Sequence, residues 1–246
     1  MLERVVLHGI QYAVYGLEAG LFLYLLGGGR WKRLKGIALY VGLLVAVDAL
    51  GRPYVIYRFG SSSAEYAYFF WLTDIALLLA AFLLVGSLFR RACHHQPELW
   101  GHVRLMLSFV LLLVVAISLL SLHRNFENLF SVFIVEFQQN LYFTCLVLLT
   151  LLYVLMQKVE RTEDELTLLV SGLGIQFAGP AASLALVYLT PGQEYGRAVW
   201  TYGAPLCTMG MLLIWFQAAS YSPKAAGVPG FNHHSTDLAE AMAREG

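Results

Sequence analysis

Seven apolar stretches, each long enough to cross a bilayer, occupy most of this chain and leave little room for anything else. A helix needs roughly 20 mainly apolar residues to traverse the hydrocarbon core. On that rule the spans lie near 7–27, 36–57, 66–88, 103–122, 129–157, 165–189 and 198–220. Strands are excluded inside them, because lipid offers no partner to an open sheet edge. The expected fold is all-α, a polytopic transmembrane bundle of seven helices. Only 13% of the 246 residues are charged, against 59% hydrophobic, whereas soluble domains average about 25% charged. A formal net charge of zero gives nothing to attract nucleic acid.

Basic residues set the orientation, since they concentrate in cytoplasmic loops. Arg30, Lys32, Arg33 and Lys35 follow the first span, Arg90, Arg91 and Arg104 the third, and Lys158 and Arg161 the fifth, with Lys224 and Arg244 after the seventh. Arg4, Arg52, Arg58, Arg124 and Arg197 fall at the other side. This asymmetry predicts an outside N-terminus and a cytoplasmic C-terminus.

The first span reads as an uncleaved helix, because Glu3 offsets Arg4 and Glu18 interrupts the apolar run. Residues 1–221 then form the membrane domain. Residues 222–246, rich in Pro, Gly, Asn, His and Ser, read as a mostly disordered cytoplasmic tail with no output domain. Thr162 and Glu165 make a capping-box pattern at the start of the sixth helix. Gly174, Ala178 and Ala182, with Ser171, Gly179 and Ser183 beside them, form a small-residue stripe suited to close packing within the bundle or to a homodimer seam. Cys93, Cys145 and Cys207 imply no disulfide framework. A loose correspondence between helices 1–3 and 5–7 leaves open a two-triplet carrier arrangement.

Four carboxylates fall inside the spans: Glu18, Asp48, Asp74 and Glu136. Intramembrane acids are costly unless paired, protonated or hydrated, so each is a functional candidate. Their depths match, in the middle and outer half of the bundle. His8, Gln11, Tyr15 and Glu18 share a helical face. Glu136, Asn140 and Thr144 form another stripe, with Gln139 alongside. Tyr66, Phe70 and Asp74 form a third, and Gln176 and Tyr202 are placed to close the ring. Arg52 is the one cation positioned among these acids, four residues after Asp48 in the favourable order. Asp74 and Glu136 are expected to converge and carry binding, with Glu18 mostly structural. The plain alternative is an internal salt bridge plus hydrogen-bonded helix contacts.

Other chemistries lack their residues. Every lysine lies in a predicted cytoplasmic segment, so a retinal Schiff base has no partner. No histidine pair suits haem, and no HExxH motif or nucleophile elbow is present. Cys93, His94, His95, His102, His233 and His234 are soft ligand types in a spacing that matches no standard zinc module. No cofactor is expected. Aromatics such as Tyr54, Tyr57, Tyr68, Trp71, Tyr195 and Trp200 read as an interfacial belt.

The run Tyr66-Ala-Tyr-Phe-Phe-Trp-Leu-Thr-Asp74, with the apolar stretch up to Phe89-Arg90, resembles a group of bacterial seven-helix membrane proteins to which no activity is attached. That resemblance implies a multi-pass protein of a bacterial inner membrane. The leading expectation is a non-enzymatic, receptor- or sensor-like protein with an outer pocket for a proton, a small cation or an amine-bearing ligand, signalling to a cytoplasmic partner. The rivals are a small proton-coupled transporter, kept alive by Pro180 and Pro205 inside helices 6 and 7, and a structural or assembly subunit.

Overall fold

A computed structural model describes residues 2–60, 62–94, 97–122, 129–158, 164–189 and 194–221. The expected tail, 222–246, and the capping residue Thr162 lie outside them. Among the described residues seven helices are of membrane-spanning length: α1 (Leu2–Leu26), α2 (Lys35–Phe59), α3 (Ala64–Ala92), α4 (Pro97–Leu122), α5 (Leu129–Lys158), α6 (Asp164–Leu189) and α7 (Glu194–Ser220). Among the described residues there is no strand. Every helix contains a segment long and apolar enough to span a membrane. Their outward faces are apolar as well: Leu39, Leu83 and Leu105 are 75%, 69% and 72% exposed. Helices apolar all round belong in lipid, and the chain is a multi-pass membrane bundle.

Sequential helices pack against one another, and α1 closes the ring by packing on α7. Helix α3 reaches across to α5, so α4 lies outside the ring, against α5 and α3. The cavities described below are accordingly lined by α1, α2, α3, α5, α6 and α7, with nothing from α4.

The most extensive contact is between α6 and α7. Two glycines make it possible. A Cβ on Gly172 would sit 2.7 Å from the Trp215 indole nitrogen, and one on Gly179 would sit 2.4 Å from Cys207 Sγ. Trp215, fully buried, then donates its Nε1–H to the Leu169 carbonyl at 3.1 Å. The close approach therefore runs through positions seven apart, two helical turns, and not through the Gly174, Ala178 and Ala182 stripe. Nothing lies within 4 Å of a Cβ on Gly174, and Ala178 and Ala182 are exposed.

Helix α2 is irregular for a reason visible in its sequence. Pro53 has no N–H to give the turn before it. Val45–Gly51 winds as a π-helix, and the Arg52 N–H reaches back five residues to the Val47 carbonyl. Such π-turns are rare and concentrate at functional positions. This one carries Asp48 and ends next to Arg52. Gly51 within it faces Phe69, whose ring would lie 2.8 Å from an added Cβ.

At the basic end, the Glu165 carboxylate is buried and shared by two arginines. Arg91 Nη1 donates to Oε1 at 3.1 Å, and Arg33 Nε stands 3.5 Å from Oε2. Arg33 also donates to the Tyr221 carbonyl at 3.1 Å, and the Tyr221 hydroxyl donates to Asp164 Oδ2 at 2.6 Å. That bond to a carboxylate raises the Tyr221 phenol above its ordinary pKa. Glu165 thus ties the α1–α2 connection, α3 and α6 together. The capping box expected of Thr162 and Glu165 lies partly outside the described residues; within them the Glu165 carboxylate serves two arginines, a charge-assisted pairing of the stronger kind.

Candidate functional site

In the half of the bundle away from the basic end, the ring encloses a cavity of two lobes. The larger, of about 410 Å³, lies between α1, α2 and α7 and is lined by Gln11, Tyr15, Glu18, Thr201 and Pro205 among others. The smaller, of about 230 Å³, lies between α2, α3, α5, α6 and α7, with Tyr40, Phe70, Asp74, Tyr142, Gln176 and Pro180 in its wall. Asp48, Arg52, Ala204 and Thr208 line both. The Asp48–Arg52 pair therefore stands at the junction.

Arg52 is held on three sides. Its Nη1 is 3.0 Å from Asp48 Oδ1, its Nη2 donates to Asp74 Oδ1, and the guanidinium lies 4.6 Å from the centre of the Phe70 ring. Asp74 is fixed from its other oxygen, which accepts from Gln138 Nε2 at 3.3 Å. The start of α3 sets this register: Ser63 caps the helix by accepting from the Tyr66 N–H at 3.1 Å. Asp48 Oδ1, although in charge contact with Arg52, has no aligned hydrogen bond, and neither has Arg52 Nε.

Glu18 is different in kind. It is fully buried, and among the described residues neither carboxylate oxygen has a hydrogen-bond partner. Gln11 and Tyr15 on the same helix face bond to each other at 2.8 Å and leave Glu18 alone. Gln176 Oε1, in the smaller lobe, is also without a hydrogen-bond partner among the described residues. Buried polar groups are satisfied in the great majority of cases, and an exception calls for an explanation such as a ligand or ion. Three carboxylates and one guanidinium give the cavity a formal surplus of negative charge. Pro180 adds an acceptor: it deprives the Gln176 carbonyl of the usual helical donor, and both residues line the cavity.

Of the residues singled out in the sequence, Glu18, Asp48, Arg52, Asp74 and Gln176 meet in this cavity. Glu136, Asn140 and Tyr202 do not line it. Glu136 is half-buried at one end of its span. Asn140 instead donates to Ser118 on α4 at 3.4 Å, outside the ring. The α5 residue delivered to Asp74 is Gln138, and Tyr40, Tyr142 and Thr208 were likewise unforeseen. His8 is exposed, and Leu7 takes the expected place on the lining. No group of three His, Cys, Asp or Glu able to hold a metal ion occurs among the described residues. His95, His233 and His234 lie outside these. Cys93 is buried, which raises its thiol pKa.

Comparison with protein-family models, with curated proteins and with solved structures gives no match to this chain.

Proposed function

We propose that this chain is a non-enzymatic, receptor- or sensor-like membrane protein that binds a small cation or amine-bearing ligand in the two-lobed cavity. One observation carries the reading: Glu18 is fully buried, lines the larger lobe, and has no hydrogen-bond partner on either oxygen among the described residues. An acid that only glued helices together would be bonded across them. A cation seated in the lobe supplies the missing partner, while Arg52 is occupied by Asp48 and Asp74. The basic asymmetry of the loops supports a cavity in the outer half of the membrane and a cytoplasmic C-terminus; the reading adds a bacterial inner membrane and a signalling partner in the cytoplasm.

A second reading, a proton-coupled transporter, draws on Pro180 and Pro205, which interrupt α6 and α7 beside the cavity. Broken helices at a mid-membrane site are how many carriers expose it alternately. The two readings part on flux. The full chain in nanodiscs is titrated calorimetrically with Na⁺, K⁺, methylammonium and guanidinium, and in proteoliposomes its internal pH is followed after addition of the cation that binds. Saturable heat without a pH change fits a sensor, and heat with a pH change fits a carrier. Absence of heat with every cation contradicts both.

A further inference from the structure

A third cleft, of about 180 Å³, opens at the basic end, and none of its lining residues serves the cation cavity. Its wall contains Lys32, Arg33, Lys35 and Arg91 and no carboxylate. Four cations at one cleft repel one another, and here the arrangement is held from behind. Glu165, buried and outside the lining, pairs with Arg33 and Arg91 together and fixes both guanidinium groups. Lys32 and Lys35 have no ion-pair partner among the described residues. Among the described residues the lining carries four cations and no carboxylate, with Glu165 paired behind it, so the cleft faces outward with a surplus of positive charge.

The backbone adds to it. Helix α2 begins at the cleft, and its N-cap, Leu34, has no side-chain group to satisfy the first turn. The first helical bond is the one Ala38 donates to the Leu34 carbonyl at 2.8 Å. The N–H groups of Lys35, Gly36 and Ile37 precede it, and N–H groups at such a terminus favour an anion. Gly36 also lets Ser87 of α3 approach to 3.1 Å of the position its Cβ would take, and both residues line the cleft. The remaining wall is apolar, from Ile37, Leu84, Leu88 and Leu169. Phosphate chemistry suits the basic part, and the apolar part suits what an ester carries.

We propose that this cleft is a binding site for a phosphate group, presented by a membrane phospholipid or by a free phosphate. The proposal stands independently of the cation cavity. Basic pockets at the ends of membrane helices recognise anionic headgroups through the same forces.

The test uses the full chain in a neutral detergent. Dioleoyl-phosphatidylglycerol, dioleoyl-phosphatidylcholine and inorganic phosphate are added separately, with retention read by native mass spectrometry and by the thermal midpoint. The variants are Lys32→Gln with Lys35→Gln, and Lys32→Arg with Lys35→Arg. Both lysines are exposed, so the fold is expected to tolerate the changes, and the arginine pair controls for that. Preferential retention of phosphatidylglycerol by the wild type, weakened about thirtyfold in the glutamine pair and restored in the arginine pair, supports the site with a lipid source. A midpoint rise with inorganic phosphate that the glutamine pair loses supports it with a free source. If neither probe distinguishes the wild type from the glutamine pair, the proposal is overturned.

Discussion

Glu18 and Arg52 line the same lobe of the cavity, yet no hydrogen bond or ion pair joins them. The guanidinium is engaged by Asp48 on its own helix and Asp74 on the next. Proximity of opposite charges has therefore not been used to neutralise the deepest acid. Acid and base lining one cavity, held apart, is the arrangement expected where a third charged body belongs.

Arg52 is the structural keystone of that arrangement. Removing one partner of a buried ion pair leaves the others uncompensated, at about 3–5 kcal/mol. We expect Arg52→Gln to lower stability by that order, and Arg52→Lys to recover only part of it, since one ammonium does not reproduce a planar fork between two carboxylates. Asp74→Asn in the Arg52→Gln background should cost less than in the wild type. Unfolding of each variant in detergent, read as a double-mutant cycle, checks this.

The α6–α7 contact makes a prediction of opposite signs. Gly172→Ala must displace Trp215, and Gly179→Ala must displace Cys207, so each should destabilise by about 1–3 kcal/mol, as overpacking does. Gly174→Ala meets nothing within 4 Å, and alanine exceeds glycine in helix propensity by about 1 kcal/mol. That substitution should be neutral or stabilising. Thermal midpoints of the three variants, side by side, decide whether the contact follows the seven-residue spacing.

These cases show what could be read in advance. Depth along the membrane follows from hydropathy, so the five cavity residues Glu18, Asp48, Arg52, Asp74 and Gln176 were legible as a level. Rotation about each helix was not, because a helix apolar all round gives no moment to fix its face. Glu136 and Gln138 differ by two residues, which is about 200° of rotation, and nothing in the sequence says which of them meets Asp74. The same ambiguity separates Gly174 from Gly172. For Glu165 the sequence offers only a local capping pattern, and the arginines it pairs with are brought from two other segments. The π-turn had a signal, Pro53 inside a span, whose consequence for Asp48 depends on how the helix absorbs the lost donor.

Glu136 offers a direct contrast with the cavity acids. Because it does not line either lobe, Glu136→Gln should leave cation affinity unchanged in the calorimetric titration. Asp74→Asn, which loosens Arg52, should alter it. Equal effects from both variants would place the binding site elsewhere.

The basic loops make a prediction about orientation. A reporter active only in the cytoplasm should function when fused after Gly246 and fail when fused before Met1. The reverse pattern would put the cavity in the inner half and its ligand in the cytosol.

The central claim is that Glu18 is kept unpaired for a ligand and at the expense of the fold. Replacing even a buried ion pair with apolar side chains of similar volume is often neutral or stabilising by about 1–4 kcal/mol, and a buried carboxyl group without a partner has no pairing to lose, whereas deleting a charge-assisted contact to a ligand costs about 1.5–3 kcal/mol, or roughly tenfold to 150-fold in affinity. The decisive measurement is the thermal midpoint of wild type, Glu18→Gln and Glu18→Met, with and without the cation that binds the wild type. The account predicts that both variants melt at or above the wild-type midpoint without cation and lose the cation-dependent rise. Variants that melt lower yet keep the full cation-dependent rise would show that Glu18 holds the helices and binds nothing.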